Sequence, residues 1–263
     1  MVAGVLSHVG TIKHKIELLY LLVLKDIKVR YKSSVLGYFW AIANPFAFAF
    51  VYWVAFKFIM RVQMENYSIF LITGLFPWLW LSNGITQATC SYQNNSSLIK
   101  RVNLNRATLP LSNIMQEMAH FLFALPVIIL FLALSGGHAF YWNWLWQLPL
   151  MMAVQLAFIY PAALIFAVAN VYVRDIEYLV GIGFSLMFFA TPMVYPIELV
   201  PEAYRGYFVL NPLYALIACW RSVFLSGQIE AGLLGYFSLW IALIGGMCFF
   251  FYRRMSGRIG ELL

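Results

Sequence analysis

Apolar residues fall along this chain in long unbroken runs, with almost no strict alternation. Six runs come near the roughly 20 mostly apolar residues that a helix needs to cross a bilayer. They cover 35–58, 68–89, 109–134, 144–171, 178–195 and 233–252. Two further stretches carry a different pattern. Between 12 and 32, Ile16, Tyr20, Val23, Leu24, Ile27 and Tyr31 recur at steps of three and four, while Lys25, Lys28 and Lys32 mark a second face. Its uninterrupted apolar run, 18–24, is too short to span, so the pattern predicts an amphipathic helix lying in the interface. Residues 196–230 are apolar but broken by Pro201, Gly206, Pro212 and Gly227, and they carry Glu198, Glu202, Arg205 and Arg221. Irregular backbone at membrane depth must be buried in protein or line a cavity. This segment is therefore expected to form short re-entrant helices on the outer side. The predicted fold class is an all-α integral membrane protein with one transmembrane domain over 1–263. It comprises an interfacial helix over 12–32, a six-span bundle over 35–252 and a tail over 253–263.

Composition removes the soluble alternatives. The chain is 63% hydrophobic and 10% charged, against about 25% charged in a typical soluble domain. So few charges could not cover the surface of a soluble globule of this size. The net charge of +7 would suggest nucleic acid in a soluble protein; in a membrane protein, position decides. Thirteen basic residues fall on one side of the predicted topology: Lys13, Lys15, Lys25, Lys28, Arg30, Lys32, Lys100, Arg101, Arg106, Arg174, Arg253, Arg254 and Arg258. Only Lys57, Arg61, Arg205 and Arg221 fall on the other. Lys and Arg mark cytoplasmic loops, so both termini are expected to be cytoplasmic and no nucleic-acid partner is expected. The first fifteen residues lack a basic stretch followed by a long apolar core, so no cleavable signal peptide is expected. Cys90, Cys219 and Cys248 are widely spaced and form no metal or redox motif.

The chemistry of an enzyme is also missing. There is no GxxxxGK[ST] phosphate loop, no HExxH and no GxSxG. Nor is there an acidic pair to hold Mg²⁺ and a prenyl diphosphate. An intramembrane glycosyl- or prenyltransferase is therefore the alternative of another class. The chain reads as a conduit without a cofactor of its own, whose energy source lies elsewhere.

Four segments make that conduit recognisable. Arg30-Tyr31-Lys32-Ser33-Ser34-Val35-Leu36-Gly37-Tyr38-Phe39-Trp40, followed by Ala43-Asn44-Pro45, opens the first span. Residues 70–78 read FLITGLFPW. Val173-Arg174-Asp175-Ile176 precedes Thr191-Pro192-Met193-Val194-Tyr195-Pro196. Pro201, Asn211-Pro212-Leu213 and Arg221 complete the set. In this order they resemble the permeases of ABC-2 type polysaccharide exporters, above all those that carry O-antigen across the inner membrane of Gram-negative bacteria. Capsule and teichoic acid exporters are relatives, and another ABC-2 exporter of a lipid or drug is the alternative. The resemblance implies a homodimer of permeases with two separate ABC ATPase subunits that bind ATP and Mg. It also implies a polysaccharide carried on undecaprenyl diphosphate, moved from cytoplasm to periplasm.

Candidate residues follow. In the first span Phe39, Phe46, Phe50 and Trp53 fall close to one helical face, with Tyr52 on a neighbouring one. Aromatic rings would let the apolar faces of sugars slide; the plain alternative is core and lipid-belt packing. Lys28, Arg30, Tyr31 and Lys32 sit where a lipid diphosphate would arrive, and Arg and Lys bind phosphate oxygens. The alternative is attraction to anionic membrane lipid. Leu98, Lys100 and Arg101, within a predicted short helix over 98–104, and Arg174, Asp175 and Glu177 are candidates for ATPase docking on the family resemblance; otherwise they are solvated turns. Glu117 is the lone acid within a span, with His120 within i,i+3 reach, either as a polar clamp between helices or as a proton or substrate contact. Glu202, Arg205 and Arg221 are candidates for an outer gate or for headgroup anchoring.

Overall fold

The computed structural model describes residues 16–29, 66–101, 104–134 and 141–262, together with 39–40, 43, 46–47, 50–51 and 54–59. Among these residues every regular element is helical. Helix α1 covers 16–29. It is followed by α2 (Tyr67–Thr89), α3 (Thr108–Leu134), α4 (Trp144–Tyr172), α5 (Ile176–Ala190), α6 (Glu202–Val209), α7 (Pro212–Ser226) and α8 (Ala231–Met255). Short helices Ser91–Asn94 and Ser96–Arg101 link α2 to α3, and Ile259–Leu262 ends the chain's described part.

Helices α2, α3, α4 and α8 are each long and apolar enough to cross a membrane. Their ends agree closely with the runs 68–89, 109–134, 144–171 and 233–252. Pro77, Pro126, Pro149 and Pro161 lie inside these helices, as spans tolerate because neighbouring groups satisfy the freed backbone. Two of the six predicted spans are not among these four. Half of the run 35–58 lies outside the described residues, and the π-helix Val54–Ile59 overlaps its end. The run 178–195 is helical only to Ala190, in a helix of 15 residues. At about 1.5 Å per residue α5 measures roughly 22 Å, short of a hydrocarbon core of about 30 Å. Pro192 explains the early stop: the residue before a proline is driven from helical to extended backbone, and Thr191 sits at φ −107°, ψ 135°. Four spans are therefore described, or five if α6 and α7 count as one broken span; these two meet at 90°.

The 90° break is written in Asn211-Pro212. The Asn211 side chain accepts from the Leu213 amide at 2.9 Å, and Pro212 occupies the first helical turn; both are helix-start signals. Gly227 ends α7 in left-handed backbone, φ 64°, the usual use of glycine at a helix end.

Helix α2 is the centre of the bundle. An 18-residue window of it is 83% buried, against 11% for α8 on the periphery. Helices α2 and α3 pack together at Gly84, where an added Cβ would make ordinary van der Waals contact, 3.8 Å from the Ile114 Cα. Aromatic rings fill the middle. Trp80 stacks on Phe121 at 5.4 Å, and Phe121 meets Trp220 of α7 edge-on at 5.1 Å. Trp220 Nε1 donates to Gln155 Oε1 at 2.6 Å, and Gln155 Nε2 donates to the Pro77 carbonyl at 2.9 Å, tying α7, α4 and α2.

A second, smaller core holds α1 against the bundle. Leu22 is buried with Tyr92, Leu109, Ala167, Val168 and Ile259. The packed face of α1 thus runs through Leu18 and Leu22. Of the predicted apolar stripe, Ile16 and Tyr20 are each 62% exposed, Val23, Leu24 and Ile27 are half-buried, and Tyr31 lies outside the described residues.

Candidate functional site

The bundle has two chemically different ends. At one, the Tyr67 hydroxyl donates to the Val194 carbonyl at 2.7 Å and Trp144 Nε1 to the Val223 carbonyl at 2.8 Å. The other collects the end of α2, the start of α3, the α4–α5 turn and the end of α8. There Arg106 Nη1 donates to the Ser256 carbonyl at 2.7 Å and the Tyr172 hydroxyl to the Met255 carbonyl at 2.9 Å. Lys25, Lys28, Lys100, Arg101, Arg106, Arg174, Arg253 and Arg254 all belong to elements at this second, basic end.

At the basic end a hydrogen-bonded knot is centred on Asn170. Asn170 Nδ2 donates to the Thr89 carbonyl at 3.2 Å, Asn170 Oδ1 accepts from the Glu177 amide at 3.1 Å, and the Asn170 carbonyl accepts from Gln93 Nε2 at 2.9 Å. The Cys90 thiol donates to Glu177 Oε2 at 3.0 Å. Burial, then this bond and the Glu177 charge, push the thiol up to about 12. One asparagine therefore joins the two loops expected to dock an ATPase. Within those loops, Lys100 and Arg101 are exposed at the end of Ser96–Arg101 while Leu98 leans on the small core. Arg174 and Asp175 are exposed in the α4–α5 turn, and Glu177 is half-buried. The helix begun at Ser96 is described as far as Arg101; of the predicted 98–104, residues 102–103 lie outside the described residues and Leu104 is not helical. Asn170, Gln93 and Cys90 were not singled out in the sequence; their only signal was polarity at the ends of apolar runs.

Of the headgroup candidates, Lys28 is exposed on α1; Arg30, Tyr31 and Lys32 lie outside the described residues. Of the aromatic candidates, Phe39 and Phe50 are exposed, and Phe46 places its ring 5.9 Å from Phe131 of α3. Tyr52 and Trp53 lie outside the described residues. A different aromatic surface is formed elsewhere. Trp78, Ser82, Asn83 and Thr86 of α2 face Phe184 and Phe188 of α5 across a groove of about 320 Å³. Trp78 contacts both rings, at 6.1 and 5.8 Å. Steps of four (78, 82, 86 and 184, 188) put rings and hydroxyls on facing helix surfaces, a signal hidden in uniformly apolar runs.

Glu117 is 4% exposed. It accepts from Gln87 Nε2 of α2 at 2.6 Å and lies 3.4 Å from His120 Nδ1 on its own helix. At the opposite end Arg205 reaches Glu202 at 3.8 Å and donates to the Val200 and Glu198 carbonyls. Arg221 donates to the Pro192 and Met193 carbonyls, each at 2.8 Å, with its guanidinium 3.7 Å above the Phe70 ring. Gly74 makes room for it, since a Cβ there would lie 2.9 Å from Arg221 Nη2. Arg221 thus clasps the turn that ends α5.

Span-length apolar helices, polar ties confined to the bundle's ends and buried interhelical contacts, and a basic platform at one end define a multi-pass membrane protein. The chain belongs to the ABC-2 type transporter family, whose model matches residues 17–225. It is 39% identical over 249 residues to an O-antigen export system permease protein RfbA of Klebsiella pneumoniae, covering 94% of this chain and 95% of that protein. It is 31% identical to an RfbA of Myxococcus xanthus, covering 79% of this chain and 80% of that one. The polysialic acid transport protein KpsM of Escherichia coli is 24% identical, over 83% of this chain and 85% of KpsM.

Proposed function

We propose that this permease exports an O-antigen-type polysaccharide, carried on undecaprenyl diphosphate, from cytoplasm to periplasm across the bacterial inner membrane. The observation that carries the proposal is the near full-length similarity to O-antigen export permeases. Two copies pair with each other and with two ABC ATPase subunits, which supply ATP and Mg chemistry that this chain does not. The basic end faces the cytoplasm, with both termini. There Lys28 of α1, with Arg30, Tyr31 and Lys32, receives the diphosphate. Leu98, Lys100, Arg101, Arg174, Asp175 and Glu177 take the ATPase.

The glycan path uses aromatic surfaces: Phe39, Phe46, Phe50, Tyr52 and Trp53 of the first span, and the groove between α2 and α5. Flat rings with scattered hydroxyls suit a sliding sugar chain, since stacking binds without the dense hydrogen bonding that would hold it in place. Glu117 and His120 clamp α2 to α3, a role supported by the Gln87 bond across the helices. Arg221, with Glu202 and Arg205, braces the outer end where α6 and α7 form the re-entrant turn.

The test is reconstitution with the cognate ATPase in a strain lacking its own O-antigen permease. Surface polysaccharide should return, and Phe184→Ala, at the half-buried ring that lines the groove, should lower it at normal permease levels. Restoration of capsule but not O-antigen would favour the capsule reading that the KpsM similarity also supports.

A further inference from the structure

Three stretches far apart in sequence meet at the basic end. Gln93 and Ser96 follow α2, Val171, Arg174 and Glu177 flank the α4–α5 turn, and Leu262 comes from the C-terminal helix; together they line a cleft of about 320 Å³. Each wall is tied down. Gln93 and Glu177 are both bound to Asn170. The C-terminal segment is fixed by Arg106 and Tyr172, which hold the Ser256 and Met255 carbonyls, and by Ile259, which is fully buried in the smaller core. A cleft with fixed walls loses little freedom when it is filled, which favours binding.

Resting on the transporter reading, we propose that the C-terminal segment completes the ATPase docking surface and that this cleft receives a segment of the ATPase subunit. The lining states what that segment carries. Gln93 Nε2 is committed to the Asn170 carbonyl, which sets the amide's orientation. Its Oε1 is sealed from solvent with no hydrogen-bond partner among the described residues. The Glu177 carboxylate and the Arg174 guanidinium line the same cleft, so it offers both an acceptor and a donor to the incoming segment. Outside it, Lys100 stands one helical turn beyond Ser96 with Arg101 next to it. This basic rim matches acidic residues on the same partner segment. Leu262, 49% exposed, supplies the apolar lip.

Three variants of the full permease, co-expressed with its cognate ATPase, test this. Benzoylphenylalanine in place of the exposed Leu262 is expected to form a photoadduct with the ATPase subunit in the intact complex. Ser96→Trp, which fills the cleft from its rim, is expected to lower ATPase co-purification about tenfold or more while the permease stays monodisperse. Lys100→Glu with Arg101→Glu probes the docking reading itself. If the charge reversal releases the ATPase but residue 262 yields no adduct and Ser96→Trp binds normally, the cleft is overturned and docking stands. If the ATPase survives all three changes and no adduct forms, both readings fall.

Discussion

Glu117 shows how a carboxyl group is accommodated in an apolar bundle. Its neighbours are chosen for it: Gln87 donates from α2 and His120 stands one turn along α3. Removing the acceptor leaves the Gln87 amide to find a new partner in a place without water. Buried unsatisfied groups cost about 1–3 kcal/mol, whereas interhelical hydrogen bonds in membranes average nearer ~0.6 kcal/mol because the separated helices also find partners. Glu117→Ala is therefore expected to destabilise the detergent-solubilised protein by about 1 kcal/mol, and Glu117→Gln by less, measured by thermal unfolding. Cys90 makes a pH-dependent case. Its thiol is pushed up to about 12 from a usual 9.0, and only the thiolate is nucleophilic. At pH 8 its maleimide labelling should be roughly a hundred- to a thousandfold slower than that of an unperturbed thiol, rising steeply as pH approaches 12. Glu177→Gln removes the carboxylate charge that helps raise it and should speed labelling at pH 8; unchanged kinetics would leave burial as the whole cause. Sequence spacing alone brought Glu117 and His120 together. It was silent on Gln87, 30 positions away, because which faces of two apolar helices meet is not written in either helix.

Helices α6 and α7 illustrate how local signals build an element. Pro201, Gly206, Pro212 and Gly227 were readable as breaks; Gly206 instead lies inside α6, and the other three take backbone roles at helix ends. The angle between the two helices was not readable, because it depends on what the second helix packs against. Helix α7 buries Leu216, Cys219, Trp220, Val223 and Phe224 against α2 and α4. Helix α6 buries none of its residues. At Gly227 the left-handed backbone is combined with a tight neighbour: a Cβ there would overlap the Tyr141 ring. Gly227→Ala should cost about 1 kcal/mol for the conformation alone, with the overlap adding to it. A fall in thermal stability larger than that of Gly206→Ala, where a Cβ would meet nothing within 4 Å, is the expected result. The same contrast explains α5. Its apolar run continues to Tyr195, but Pro192 outweighs hydropathy at the backbone, and Arg221 then holds the turn that results.

At the scale of the whole molecule, the one-sided distribution of basic residues becomes a surface. The knot at Asn170 gathers the ends of α2, α4 and α5 beside the C-terminal segment, so a partner pressing on one loop presses on the other. This end should face the cytoplasm. In a background with the native cysteines replaced, Lys100→Cys is expected to label only when membrane-impermeant reagent reaches the cytoplasmic side. Glu202→Cys should label only from the outer side. The reverse pattern would invert the topology and, with it, the direction of export.

Apolar run lengths and the Pro, Asn and Gly signals were sufficient by themselves for the class, four span positions and the break between α6 and α7. They suffice because burial in lipid and backbone geometry act residue by residue, and motifs in register did the same for the family. Only the tertiary structure decided that α2 is central, that Leu22 rather than Tyr20 anchors α1, that Trp78 faces Phe184 and Phe188, and that Leu262 stands beside Gln93. In helices apolar on every face, periodicity does not say which face meets a neighbour. That choice is made by packing between side chains remote in the chain.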